Sequence, residues 1–231
     1  MRKLYIGNKN YSSWSMRPWV LMKQAGIDFE EVMARFDSFA PDSQFKRIMG
    51  PLTALAQVPA LDDDGLVVSD SLAIAEYLAE TFPERQLWPQ DKAQRAHARS
   101  LCAEMHAGFR ALRSACGMNI EADLRPQGQL IWRDNAPVRA DVARIVSMWE
   151  GLLAAHAASH ADKMLFGPFT IVDAYYAPVV MRLTRFGLPV PPAIAAYMER
   201  VQALPGVRAW IDGALAERDF REFQEPYRLS R

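Results

Sequence analysis

Cysteine is scarce in this 231-residue chain, with Cys102 and Cys116 as its two examples. Apolar residues recur at helical spacing between Ala93 and Cys116 (Ala98, Leu101, Cys102, Met105, Phe109, Leu112), which predicts one continuous helix over that stretch. On a single helix the two thiols stand about 21 Å apart along the axis. A disulfide cannot bridge that distance. The spacing also fits no zinc site and no dithiol redox motif, so both read as buried thiols in a reducing cytoplasm. Four scattered histidines offer no metal cluster. Net charge is lacking too, since 27 basic residues balance 27 acidic ones. That argues against a general electrostatic binder of nucleic acid. No apolar run is long enough to span a bilayer, and Met1-Arg2-Lys3-Leu4 lacks the apolar core of a signal peptide. Repeats and low-complexity tracts are absent. These absences together predict a cytoplasmic protein with no metal, no nucleic acid and no membrane.

Hydrophobic residues are abundant, at 50% of the chain, enough for a substantial core. The length permits one large domain or two small ones. The first third alternates strand and helix signals. Leu4 to Gly7 reads as a strand and Ser15 to Ala25 as an amphipathic helix closed by Gly26. Phe29 to Ala34 is a second strand, and Pro41 to Met49 an irregular helical stretch. Val58-Pro59-Ala60-Leu61 and Leu66-Val67-Val68 flank an acidic turn whose Gly65 supplies an unusual backbone angle. Ser69 and Asp70 announce a helix from Ser71 to Thr81, with Pro83 behind it. The order is βαβ, irregular helix, ββα. Pro83 to Pro89 reads as a linker that Leu87 and Trp88 can dock. Strand signals then almost vanish. After Ala93 come the region between Pro126 and Pro137, of undefined form, a helix from Val138 to Ala158, an apolar helix entered at Thr170, and helices over Ile194–Leu204 and Val207–Leu215. A small α/β domain (1–82), a linker (83–92) and an all-helical domain (93–231) are expected.

Three loops carry candidate chemistry. Tyr11-Ser12-Ser13-Trp14-Ser15-Met16-Arg17 lies between a strand and a helix, where free N–H groups and the helix dipole favour an anion. Its serines serve either as helix caps or as donors to a thiolate or carboxylate. Arg17 suits a structural ion pair or a ligand contact. Val58-Pro59 is either an ordinary strand start or a cis-proline bend that exposes the Val58 N–H and C=O to an added peptide strand. Asp70-Ser71 is either another N-cap or a grip on an amino-acid zwitterion, with Asp70 on the ammonium and Ser71 on the carboxylate. A thiol, a peptide backbone and an amino-acid end describe one ligand, glutathione. Thr170-Ile171-Val172-Asp173 reads as a capping box that folds the helical half.

In this order and spacing, Ser12-Ser13-Trp14-Ser15-Met16-Arg17, Val58-Pro59, Asp70-Ser71-Leu72-Ala73-Ile74 and Thr170-Ile171-Val172-Asp173-Ala174 resemble the cytosolic glutathione transferase family over nearly the whole chain. The serine pattern is most similar to the zeta-like bacterial members, although that class has cysteine where Trp14 stands. The resemblance implies an N-terminal thioredoxin-like domain, a C-terminal helical bundle and a homodimer. It implies Ser12 as the catalytic serine with Ser13 beside it, and Val58, Pro59, Asp70, Ser71, Gln57 and Lys46 around glutathione. The segment before Val58 is longer than the family pattern, so the glycyl end falls to Lys46 or Gln57, each of which reads equally as a solvated surface residue. A second substrate is expected against Trp14, His106, Phe109, Arg110 and Arg113, where the two arginines suit an anion or interhelical ion pairs. Met105, on the same helix, reads as core. The implied activity is a glutathione transferase that activates the thiolate against a small, mostly apolar electrophile, as in detoxification. Two alternatives are a glutathione-dependent isomerase of the maleylacetoacetate type and a non-catalytic interaction or regulatory protein of the same fold.

Overall fold

A computed structural model describes residues 1–157 and 162–227. Its first part is a four-stranded sheet in the order β2-β1-β3-β4, built from β1 (Arg2–Ile6), β2 (Glu30–Met33), β3 (Ala60–Asp63) and β4 (Leu66–Ser69). β1 pairs parallel with β2 and antiparallel with β3, and β3 pairs antiparallel with β4. The β3–β4 hairpin turns at Asp64-Gly65, both at positive φ (52° and 96°), the backbone that a two-residue turn needs to match strand twist. The period-2 alternation of β1 divides the core. Leu4 and Ile6 join the main cluster under the helices, while Tyr5 packs on a smaller one formed by Tyr11, Phe36, Phe45 and Met49.

Helices α1 (Ser13–Ala25), α2 (Gln44–Met49) and α3 (Ser71–Thr81) complete this part. Gly26 ends α1 at φ 65°, its N–H reaching the Lys23 carbonyl while the Ile27 N–H reaches Met22, a left-handed cap that glycine makes without steric cost. Leu87 and Trp88 are buried and dock the connection.

The helical part holds α4 (Lys92–Ala107), α5 (Arg110–Ala115), α6 (Arg125–Asp134), α7 (Ala136–Ala155), α8 (Ile171–Arg185), α9 (Pro192–Ala203) and α10 (Pro205–Glu217). The single helix expected over Ala93–Cys116 is broken in two. Gly108 leaves helical geometry and Phe109 takes a left-handed φ of 51°, because glycine holds a helix weakly. The premise of two thiols on one helix therefore fails, although both cysteines are free and buried. The region between Pro126 and Pro137 is helix α6. Each proline sits in the first turn of a helix, where its missing N–H costs nothing. The expected end of the following helix, Ala158, lies outside the described residues.

Helix α8 is the centre of the molecule, with every residue from Ile171 to Leu183 buried. Its entry is held by Asp173, whose carboxylate accepts from the Thr170 N–H (2.9 Å), the Leu165 N–H (3.1 Å) and the Tyr197 hydroxyl (3.1 Å). Helix α1 packs against both α8 and α10. The loop entering α1 is bolted to the helical part as well. Asn10 Oδ1 accepts from the N–H groups of Ile120 (2.8 Å) and Glu121 (3.0 Å), and the Lys9 N–H donates to Glu217 (2.7 Å). The serine-bearing helix start is therefore fixed from both halves of the chain.

Candidate active site

Ser12 is the N-cap of α1 and is buried. Its oxygen accepts from the Ser15 N–H at 3.4 Å, and its hydroxyl donates to Ser15 Oγ at 2.8 Å. Ser15 Oγ also accepts from the Gly7 N–H at 3.1 Å, so the hydroxyls of Ser12 and Ser15 lace the strand end to the helix start. Ser13 differs. Its Oγ accepts from Arg182 Nη2 at 3.1 Å, which leaves the hydroxyl hydrogen available to a ligand. Ser13 lines two adjoining cavities, of about 620 and 520 Å³.

The larger cavity is bordered by the first turn of α1, by Val58-Pro59 and by Asp70-Ser71. The Val58-Pro59 bond is cis, and among the described residues the Val58 N–H and C=O make no backbone hydrogen bond. An extended peptide can therefore pair there. Asp70 is held at φ 80°, a backbone rarely adopted outside glycine and characteristic of functional sites. Its Oδ1 caps α3 through the Leu72 N–H (2.7 Å), and its Oδ2 lies 3.4 Å from His106 Nε2. The buried Ser71 hydroxyl is within 3.0 Å of the Tyr175 hydroxyl, which is 2.8 Å from His106 Nδ1. Asp70, His106, Tyr175 and Ser71 form one polar network at this end of the cavity. Lys46 and Gln57 also line this cavity, and Lys46 Nζ donates to the Ala56 carbonyl at 3.1 Å.

The second cavity is basic. Arg110, Arg113 and Arg182 line it with Ser13, Trp14 and His106. Arg113 donates to the carbonyls of His106 (3.0 Å) and Gly108 (3.2 Å), and Arg182 to that of Cys116. Just behind, Arg17 is buried between the rings of Trp14 and Tyr175, 4.1 and 4.2 Å from their centroids, and its Nε and Nη1 have no hydrogen-bond partner. The structural ion pair expected for Arg17 is replaced by this aromatic sandwich. Burial pushes Arg17 and Arg182 down to about 10, and burial and neighbouring Arg110 lower Arg113. Among the described residues no carboxylate pairs with Arg17, Arg113 or Arg182. Three concentrated guanidiniums in a low-dielectric wall strongly favour an anion.

The structure thus gathers Ser12, Ser13, Trp14, Lys46, Gln57, Val58, Pro59, Asp70, Ser71 and His106 around the first cavity, with Arg110 and Arg113 on the second. Phe109 is brought to neither. It is buried in the main core, because its left-handed backbone at the α4–α5 break turns the ring inward. Met105 is core, as expected. Sequence reading missed Tyr175 and Arg182. Arg182 did carry a signal, being the charged residue within the otherwise apolar run 178–183, where an arginine needs a dedicated partner. Tyr175 carried none.

The glutathione S-transferase N-terminal domain family model matches residues 11–81. Over 190 residues the chain is 30% identical to a maleylacetoacetate isomerase of Rattus norvegicus, covering 82% of this chain and 81% of that protein. It is 28% identical to glutathione S-transferase Z1 of Arabidopsis thaliana over 208 residues, 85% and 88% of the two chains. A Burkholderia glutathione transferase homologue solved with bound glutathione superposes with a TM-score of 0.68 at 25% identity, over 93% of this chain and 98% of that one.

Proposed function

The chain belongs to the cytosolic glutathione transferase family, and from that premise we propose that it binds glutathione in the first cavity, ionises its thiol at Ser13 and aims the thiolate at a small electrophile in the second. Glutathione supplies the nucleophile: its sulfur forms a bond to an electrophilic carbon, and the leaving group departs with the electron pair. The protein supplies binding, ionisation and aim.

The observation that carries this reading is the position of Ser13 at the junction of the two cavities, with Arg182 on its oxygen at 3.1 Å. A hydroxyl whose oxygen accepts from a guanidinium becomes a stronger donor. A free thiol has a pKa near ~8.5. A donor at the sulfur and unneutralised arginines nearby both stabilise the thiolate. Ser12 contributes by fixing the helix entrance. Val58 offers its N–H and C=O to the peptide, and Asp70 and Ser71 the grip on the γ-glutamyl end. Lys46 and Gln57 flank the glycyl end. Trp14 and His106 separate the cavities, with Arg110 and Arg113 in the electrophile's cavity.

The charge of the second cavity favours a second reading. A basic cavity suits an electrophile bearing a carboxylate, as in the maleylacetoacetate-type isomerisation, where sulfur adds to a carbon–carbon double bond, the adduct rotates and the sulfur leaves with its electrons. The relative in Rattus norvegicus bears that activity in its name. Conjugation of a chloro-aromatic electrophile, run beside isomerisation of maleylacetone, tests both. Turnover of the first supports transferase chemistry, and turnover of maleylacetone alone supports the isomerase. Retention on immobilised glutathione without either activity supports an interaction or regulatory protein. Family membership further supports a two-fold homodimer with one complete site per copy, and the two free thiols are consistent with a cytoplasmic setting.

A further inference from the structure

Residues 219–227, which follow α10, do not trail into solvent. They cross the α/β half beside the larger cavity, and Gln224 lines that cavity. We propose that residues 219–227 form one wall of the glutathione site and that Gln224 reads the glycyl end of the peptide, an inference that rests on the glutathione reading above.

Three anchors hold the segment. Asp219 Oδ2 accepts from Asn8 Nδ2 (2.8 Å), Arg35 Nη1 (2.8 Å) and Arg221 Nη2 (2.7 Å). The Tyr11 hydroxyl donates to the fully buried Glu225 carboxylate and accepts from the Arg221 N–H at 3.1 Å. Asn119 Nδ2 donates to the Tyr227 hydroxyl at 3.0 Å. Burial and the Glu225 carboxylate raise the Tyr11 phenol, so it stays protonated and donating at neutral pH. Tyr11 directly precedes Ser12, so the segment is clamped to the same loop that carries the serines.

The neighbours of Gln224 place it on the Lys46 side of the cavity. The Phe223 ring lies 5.6 Å from Phe39, and Phe39 lies 5.6 Å from Phe45, which is next to Lys46. Asp70 and Ser71, proposed above for the γ-glutamyl end, instead contact His106 and Tyr175. The glycyl carboxylate needs donors, and Lys46 already directs two of its three ammonium N–H groups at the Leu55 and Ala56 carbonyls. A side-chain amide at this wall supplies two N–H donors.

Calorimetric titration of the full chain with glutathione and with γ-glutamylcysteine, which lacks the glycine, tests the assignment. Gln224→Ala is expected to weaken glutathione on the order of tenfold while leaving γ-glutamylcysteine within about twofold of wild type. Tyr11→Phe keeps the ring but removes the hydroxyl that meets Glu225 and the Arg221 N–H, and is expected to reproduce the glutathione loss. Near-ultraviolet circular dichroism checks that both variants keep their fold. Wild-type glutathione affinity in both variants overturns the inference, as does equal loss of both ligands in Gln224→Ala. A wild-type chain that binds neither ligand overturns the glutathione reading itself, and this inference with it.

Discussion

Ser12 and Ser13 are adjacent in sequence and opposite in duty. Ser12 spends its hydroxyl on Ser15, whereas Ser13 has its oxygen on Arg182 and its hydrogen free. Ser13→Ala is therefore expected to lower kcat by roughly 100-fold, about 3 kcal/mol of transition-state stabilisation, with little change in the KM for glutathione. Ser12→Ala should cost about 1 kcal/mol of stability through the lost cap and less activity. Steady-state kinetics beside chemical denaturation separates the two, and collapse of Ser12→Ala with an unaffected Ser13→Ala reverses the assignment. Asp173 gives a pH test. Burial lifts its carboxyl to about 6 despite its hydrogen-bond donors, above the unfolded value of ~3.9. Its protonated form is thus favoured in the fold, and that contribution is complete below about pH 4 and lost as pH rises through about 6. The stability of wild type relative to Asp173→Asn should fall across that window in denaturation curves, and a flat or rising difference contradicts the argument. The serines, Val58 and Asp70 were legible in the sequence because each lies at an element boundary with its own local signature. Which serine keeps its hydroxyl hydrogen free was not, because that depends on Arg182, 169 residues away.

At the scale of elements, glycines show where periodicity misleads. The apolar spacing through Ala93–Cys116 continues across Gly108, so pattern alone reads one helix, yet the backbone turns there and carries Phe109 into the core. Two further helical glycines make a controlled pair. A Cβ on Gly128 of α6 would lie 1.7 Å from the Phe186 carbonyl oxygen, whereas one on Gly151 of α7 meets nothing within 4 Å. Gly128→Ala is expected to destabilise by on the order of 2 kcal/mol or more, because backbone must move. Gly151→Ala should stabilise by about 0.5–1 kcal/mol through helix propensity. Urea denaturation of both variants checks this, and equal effects in the two refute the crossing of α6 with the end of α8. Capped elements such as the helix from Ser71 to Thr81 were readable to the residue, since Asp70 and Pro83 bracket it. Helix α6 was not, because a proline that opens a helix and one that breaks it look alike in sequence.

The whole molecule joins two halves at the first turn of α1, which explains why the fold class was readable and the complete site was not. Strand and helix signals divide the chain, but the cavity wall at Gln224 and the arginines behind Ser13 depend on how the halves dock. The proposed homodimer should scatter light with twice the chain mass of 26.1 kDa at micromolar concentration; a concentration-independent monomer that still conjugates glutathione removes the dimer and leaves the chemistry intact. The chemistry itself is tested most directly by spectroscopic titration of the glutathione complex, following the ultraviolet absorbance of the bound thiolate against pH. In wild type the bound thiol should titrate at least about one unit below the free value of ~8.5, and Ser13→Ala should return it most of the way. A bound thiol that titrates like free glutathione, or one that Ser13→Ala leaves unmoved, contradicts the assignment of this site.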